Sequence, residues 1–237
     1  MNKANLNNFI NKYHLNGLCT QVKVISKSNA LITSFQTEDK AIMGMIKVND
    51  IGLPDEEFGV FNTPSFQRIL GAMHGEVSAE LMFENGMISS LELRDDSFTS
   101  RILLADLSII PIVTPIKNVP PVDATITITP SFIDRFNKAK GALADAEQMA
   151  FVSGKDGLQL ILNYAEHNTD TITINFDTVE ITNEIPILRF NANFFHAIIN
   201  ANKDCSLGTI QLSEAGLMTI NFRSETFQTK YLLVMLQ

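Results

Sequence analysis

Thr63-Pro64-Ser65-Phe66 and Thr129-Pro130-Ser131-Phe132 are one tetrapeptide written twice, and each opens a run with helical spacing, TPSFQRILGAM from residue 63 and TPSFIDRFNKAKGAL from residue 129. Threonine can cap a helix because its hydroxyl accepts a bond from an N–H that has no carbonyl to pair with. Proline in the first turn has its φ already set and gives up a donor the helix does not use. Apolar residues then recur three and four apart, at Phe66, Ile69, Leu70 and Met73 and at Phe132, Ile133, Phe136 and Ala139. Asn191-Ala192-Asn193-Phe194-Phe195, followed by Ile198 and Ile199, is a looser third copy. A weaker fourth runs from Asn5 to Tyr13, with Leu6, Phe9, Ile10 and Tyr13 as its apolar face. The marker phenylalanines Phe9, Phe66, Phe132 and Phe194 are 57, 66 and 62 residues apart, so the chain is an internal repeat.

Outward from each helix lie strands. QVKVIS, ALITSF and AIMGMIKV follow the first helix, with Ser28-Asn29 as a turn. After the second, EVSAELMF alternates, which predicts Val77, Ala79, Leu81 and Phe83 on one face. Asn85-Gly86 predicts a type I′ hairpin, a turn that needs positive φ at both positions; MISSLEL and SFTSRILLA complete the unit. The third helix precedes EQMAFVS, the turn Lys155-Asp156-Gly157, LQLILNY and TITINFDTV. The fourth precedes GTIQLS, the turn Glu214-Ala215-Gly216, LMTINF and TKYLLVML. These runs are rich in Val, Ile and Thr, which is strand chemistry. Between the second and third units, residues 106–123 hold Pro111, Pro115, Pro120 and Pro121 and no hairpin turn, as an extended connector would. The sequence therefore predicts an α+β fold of two similar domains, 1–105 and 124–237, joined by a connector at 106–123. Each domain is two modules of one helix followed by antiparallel strands.

With 45% apolar and 19% charged residues, the 237-residue chain has the material for a buried core. No run approaches the ~18 apolar residues of a membrane span, and the Asn-rich start lacks the apolar stretch of a signal peptide. No membrane partner is expected, and the expected location is cytoplasmic, in the host cell if the source is viral. Cys19 and Cys205 stand in no metal or redox spacing and are expected to be reduced. The net charge of −8 speaks against a simple basic nucleic-acid binder. Its distribution says more. The helical windows 1–16, 63–75, 129–142 and 191–204 hold Lys3, Lys12, Arg68, Arg135, Lys138, Lys140 and Lys203 against only Asp134 and Asp204. They carry a formal +5, which leaves −13 for the rest of the chain.

No catalytic site can be assembled. His14, His74, His167 and His196 have no metal spacing, and there is no nucleophile elbow, Walker or dinucleotide glycine pattern. The acidic runs Asp95-Asp96 and Asp55-Glu56-Glu57 could bind a cation, but acidic residues in loops are mostly just solvated. No cofactor and no metal are expected. The free sides of the helices offer Asn5, Asn8, Lys12, Gln67, Arg68, Arg135, Lys138, His196, Asn200 and Lys203. Amides and cations without aromatic platforms suit phosphate contact rather than base reading or single-strand stacking. Duplex DNA held without sequence preference fits this surface.

The ordered set of features resembles the two-domain DNA polymerase sliding clamps, PCNA and the bacteriophage clamps. It comprises four helix-plus-strand units, TPSF-type helix starts, the ENG, KDG and EAG hairpins and a proline-bearing connector. The phage clamps are the nearer by length and by the brief segment before the first helix. The resemblance implies a homotrimeric ring with no catalytic activity, helices lining the hole, that encircles double-stranded DNA and tethers the replicative polymerase as a processivity factor. It implies DNA contact by the seven helical cations. It further implies ring closure through edge strands at Ser97 to Leu104 and Thr171 to Thr178, hence Thr99, Arg101, Leu103, Ile172, Ile174 and Phe176 at the subunit interface. Polymerase and clamp loader would bind through short peptides in an apolar pocket at Ile109, Ile110, Ile112 and Val113 and at Val234, Met235 and Leu236. The chain stops on its last expected strand, so a partner contact that relatives make through a C-terminal tail is expected to be absent or altered. Two other readings stand beside this one. One is a metal-dependent enzyme of repeated α+β fold using the acidic loops; the other is a structural adaptor whose basic helices are ordinary solvated faces.

Overall fold

Four helices form where the repeat places them: α1 (Lys3–His14), α2 (Thr63–Ala72), α3 (Pro130–Ala142) and α4 (Ala192–Ala201). The computed structural model describes residues 3–114, 116, 118–155, 157–165 and 169–236. Pro115 of the connector, Asp156 of the third-module turn and His167 lie outside the described residues.

The shared tetrapeptide is used in two different ways. Thr129 caps α3, its hydroxyl oxygen accepting the Phe132 amide at 3.2 Å. α2 is capped one residue earlier, by Asn62, whose side-chain oxygen accepts the Ser65 amide at 3.0 Å. Asparagine is the stronger capping residue, and its presence releases Thr63 for other work. The Thr63 hydroxyl is buried, donates to the Thr20 carbonyl at 2.8 Å and lies 3.1 Å from the Tyr13 hydroxyl. α4 repeats the α2 arrangement: Asn191 caps it, accepting the Asn193 and Phe194 amides. Counting from each asparagine, Phe66 and Phe195 occupy the same helical position, and both are buried. Counted from the α3 cap Thr129, Phe132 matches Phe194 instead, which is half-buried beside the buried Phe195.

The chain divides into two compact units, one of Met1–Glu38, Gly44–Thr114 and Glu225–Thr229, the other of Asp39–Met43, Pro115–Ser224 and Lys230–Gln237. In the first, β1 (Val22–Lys27) pairs antiparallel with both β2 (Ala30–Gln36) and β4 (Glu56–Val60). β3 (Ile42–Asn49) and β16 (Phe227–Val234) each have residues in both units. A second antiparallel sheet of the first unit runs β5 (Ser78–Glu84), β6 (Met87–Arg94), β7 (Thr99–Leu103). In the other unit, β12 (Val179–Ile181), β8 (Ala124–Ile128), β14 (Gly208–Ser213) and β15 (Leu217–Arg223) are consecutive in one sheet. Its companion sheet has the order β11 (Ile172–Asn175), β10 (Gly157–Leu162), β9 (Gln148–Gly154), β13 (Leu188–Asn191).

The β5–β6 hairpin turns at Asn85 and Gly86 with φ of 53° and 80°, as a type I′ turn requires. The expected alternation of burial along β5 holds only as far as Leu81. The register skips Ser89 of β6 between the pairs Met82↔Ser90 and Phe83↔Ile88, and Phe83, beside this bulge, is half exposed.

In each unit, one helix pair packs its apolar stripes inward. Leu6, Phe9 and Phe66 meet Val24, Leu31, Phe58 and Leu91 around a small apolar cavity. In the other unit, aromatic rings pack against one another. Phe136 meets Phe195 edge-on at 4.9 Å and Phe132 at 6.2 Å, joining α3 to α4, while Phe151 meets Phe190 at 6.0 Å. Such pairs contribute about 0.5–1.5 kcal/mol beyond the area they bury.

Candidate nucleic-acid interface and edge strands

The seven helical cations fall into three groups. Lys12 and Lys140 are buried. The Lys12 ammonium lies 3.9 Å from the centre of the Phe227 ring, and that of Lys140 donates to the Ala144 carbonyl just past the end of α3. The helix period explains both: Lys12 is three residues beyond Phe9 and Lys140 four beyond Phe136, so each sits on the apolar stripe. Three more reach the surface with partners. Arg135 pairs with Asp177 at 2.8 Å, Lys138 pairs with Asp134 at 2.7 Å, and Lys3 donates to the Met73 carbonyl. Arg68 and Lys203 are exposed.

Amides complete the polar faces. Asn7, Asn193 and Asn200 are exposed, and Asn5, Asn8, Asn11 and Gln67 half-buried. Gln67 donates to Asn11 at 2.6 Å, tying α2 to α1, and Asn200 meets the His196 ring at 2.8 Å within α4. Partial burial, then the nearby Lys140 charge, lower the His196 pKa and favour the neutral ring.

β7 and β11 are both edge strands of their sheets. An edge leaves a row of backbone donors and acceptors that another chain can pair with. On β7, Thr99 is exposed, Arg101 is paired with Glu84 and donates to Ser90 at 2.8 Å, and Leu103 is 75% exposed, unusual for leucine. On β11, Ile174 is buried and Ile172 half-buried, while Phe176, just beyond, stacks at 5.9 Å on Phe151. An open groove of about 510 Å³ runs between β11 and α3, lined by Ile172, Thr173, Ile174, Asn175, Arg135 and Lys138 among others.

The connector leaves β7 under close control. Ala105 bridges to Gly59, its amide reaching the Gly59 carbonyl at 2.8 Å. Asp106 caps a short 3-10 turn by accepting the Ser108 amide at 2.8 Å, and its carboxyl pKa is lowered by bonds from the Ser108 side chain and amide. Ile110 is buried against Gly59, where a Cβ would stand 2.9 Å from the Ile110 side chain. Ile109 and Ile112 are exposed, Ile112 almost fully, and Val113 is half-buried. In the other unit, Val234 and Met235 are exposed and Leu236 half-buried. Met235 crosses the turn at Gly216, its amide bonded to the Gly216 carbonyl at 2.9 Å.

Asp123, which the sequence did not single out, organises that same region. Its carboxylate accepts the Glu214 amide at 2.8 Å and the Asn183 side chain at 2.7 Å, and its carbonyl accepts the Thr182 amide at 2.7 Å. The Glu214 bond, then that from Asn183, hold its pKa below the ordinary carboxylate range.

The acidic loops have structural partners instead. Asp95 accepts the His74, Ser97 and Phe98 amides at 2.7, 2.7 and 2.6 Å, and those bonds, His74's first, lower its pKa. Asp55 accepts the Ser28 amide at 2.8 Å, and Glu57 pairs with Lys23 at 2.5 Å. Among the described residues, no three His, Cys, Asp or Glu come together as metal ligands. The metal-site alternative has no support here. Cys19 and Cys205 are buried free thiols, the Cys19 pKa pushed up to about 11 by burial.

The class this architecture defines is α+β: four helices over antiparallel sheets, arranged as a repeated pair of units. No family model matches the sequence, and no curated protein matches it. Solved structures of PCNA do match the fold over nearly the whole chain. The structure of the C-terminal region of FEN-1 bound to A. fulgidus PCNA contains a chain 16% identical to this one, with TM-score 0.74, over 98% of this chain and 96% of that one. PCNA from Entamoeba histolytica gives 14% identity and TM-score 0.77 over 99% and 96% of the two chains. The PCNA2–PCNA3 complex from Sulfolobus tokodaii gives 11% and 0.74 over 99% and 97%. The fold is that of the PCNA clamps.

Proposed function

We propose that this chain is a DNA sliding clamp, a processivity factor without catalytic activity of its own. Three copies close into a ring around duplex DNA, and the ring tethers the replicative polymerase and a clamp loader through short peptides. The observation that carries the proposal is the likeness to PCNA structures across 98–99% of the chain, connector and all. Ring closure uses β7 of one copy and β11 of the next. Both are edge strands, and one of them presents Leu103 to solvent. The exposed Ile109 and Ile112 in one unit, and Val234 and Met235 in the other, offer apolar anchors for partner peptides. Peptide capture is supported by analogy with the A. fulgidus PCNA, to which the C-terminal region of FEN-1 is bound.

The test is the mass of the assembly by light scattering in dilute solution. The proposal expects three times the 26.3 kDa of the chain. A monomer at every concentration, or an open-ended series of sizes, refutes ring closure.

A further inference from the structure

We infer that the helices touch DNA mainly through neutral amides and a net of two positive charges per chain, so that the contact depends on salt far less than seven helical Lys and Arg would make it. The inference rests on the clamp reading, which places the helices against the duplex, and it concerns the chemistry of that face.

The outward stripe of each helix can be followed residue by residue. On α1 it is Ala4, Asn7, Asn8 and Asn11, with Lys3 at its first turn as the one charge. On α4 it is Asn193, His196, Ala197 and Asn200, with the imidazole held toward its neutral form. α2 contributes Arg68 among Gly71 and Ala72. α3 contributes Arg135 and Lys138, but Asp177 stands 2.8 Å from the first and Asp134 2.7 Å from the second. These pairs are exposed, so each contributes little to stability. What matters to a phosphate is their sum. Two opposite charges within 3 Å of each other present almost no net field at the ~10 Å over which charge acts in ordinary salt. Lys12 and Lys140 are buried; Lys3, whose ammonium donates to the neutral Met73 carbonyl, keeps its charge near the surface, and the exposed Asp204 beside Lys203 offsets one charge in the sum. Arg68 on its stripe, Lys203 just past α4 and Lys3 therefore stand against Asp204, a net of two positive charges per chain among the described helical residues.

Counterion release converts this to a measurable slope, the affinity falling with salt at about −0.9 per phosphate neutralised. Two contacts per engaged chain give a slope of about −1.8, a loss of about 60-fold for a tenfold rise in salt. Seven contacts give about −6, a loss of about a millionfold.

The experiment measures affinity for a short linear duplex by fluorescence anisotropy across a tenfold range of NaCl. In parallel, retention is followed on a longer duplex whose ends are blocked after threading. Three variants accompany the wild type. The pair Arg68→Ala and Lys203→Ala should flatten the slope nearly to zero. The pair Asp134→Asn and Asp177→Asn leaves every helical cation in place but unmasks Lys138 and Arg135, and should steepen the slope by about 2. The pair Asn193→Ala and Asn200→Ala should weaken binding severalfold at every salt without changing the slope. A steep wild-type slope that Asp134→Asn with Asp177→Asn leaves unchanged overturns the inference. So does the absence of measurable duplex affinity at the lowest salt when end-blocked retention is intact. Loss of end-blocked retention itself overturns the clamp reading, and the inference with it.

Discussion

Thr63→Val and Thr129→Val are the same substitution in the same tetrapeptide, yet the structure gives them different consequences. Thr63 Oγ1 has one proton, which it gives to the Thr20 carbonyl at 2.8 Å, so at 3.1 Å from Tyr13 it must be the acceptor of the Tyr13 O–H. Both side chains are completely buried. Burial also drives the Tyr13 pKa far above its ordinary value, so the phenol stays a neutral donor. Valine keeps the shape and removes the hydroxyl. The Thr20 carbonyl is still served by the Thr63 amide at 3.1 Å, but the Tyr13 hydroxyl is orphaned, a cost of about 1–3 kcal/mol. Tyr13→Phe alone leaves the Thr63–Thr20 bond standing and should cost about 0.5–1.5 kcal/mol. The double variant strands no group, so it should be more stable than the two single costs imply by about 1 kcal/mol. Thr129→Val removes a cap, costs about 1 kcal/mol and should not couple to Tyr13. Urea unfolding followed by circular dichroism, at one fixed protein concentration because assembly adds to apparent stability, reads all four variants. Strict additivity of Tyr13→Phe and Thr63→Val would refute the hydroxyl chain, as would equal coupling of Tyr13 to Thr129.

Three further outcomes follow from particular contacts. Gly59→Val should cost about 1–3 kcal/mol by overpacking, because a Cβ there stands 2.8 Å from the Ala105 carbonyl oxygen and 2.9 Å from Ile110. It should also speed protease cleavage at 106–113, and unchanged cleavage would mean that Gly59 does not seat the connector. The Asp123 carboxyl has a lowered folded-state pKa, so its stabilisation is in force above the unfolded carboxylate value near ~4 and is lost as pH falls through the folded value. Asp123→Asn should therefore be less stable than wild type at neutral pH, with the gap closing in acid; a gap constant with pH removes Asp123 from that role. Leu103→Lys places a charge on the β7 edge and should reduce the assembly to single chains with unfolding behaviour intact, whereas an unchanged mass would move the subunit contact off β7.

Much of this fold is legible in the sequence because its signals are local. Proline and capping residues fix where helices begin, and Asn85-Gly86 admits little besides a tight hairpin. Where the expectation missed, a second local signal competed with the first. Asn62 and Thr63 are adjacent capping residues, and nothing short of the packing of Tyr13 decides between them. Phe83 keeps its place in the β5 alternation but lies half exposed beside a bulge in β6 that no sequence mark announces. The faces of the helices were only half legible. Lys12 and Lys140 were counted by charge, although their spacing from Phe9 and Phe136 already assigned them to the inward stripe. The masking of Arg135 by Asp177 spans 42 residues, and the hub at Asp123 reaches 91 residues on to Glu214, distances at which periodicity carries no information.

Encirclement is most directly measured on a tethered linear duplex, one end fixed to a bead and the other either left open or blocked by a bound protein after the chain has threaded on. A clamp predicts rapid loss from the open duplex and long retention on the blocked one, in salt high enough to abolish ordinary binding. Equal loss from both would show that the protein holds DNA by its surface, if at all, and would contradict the ring.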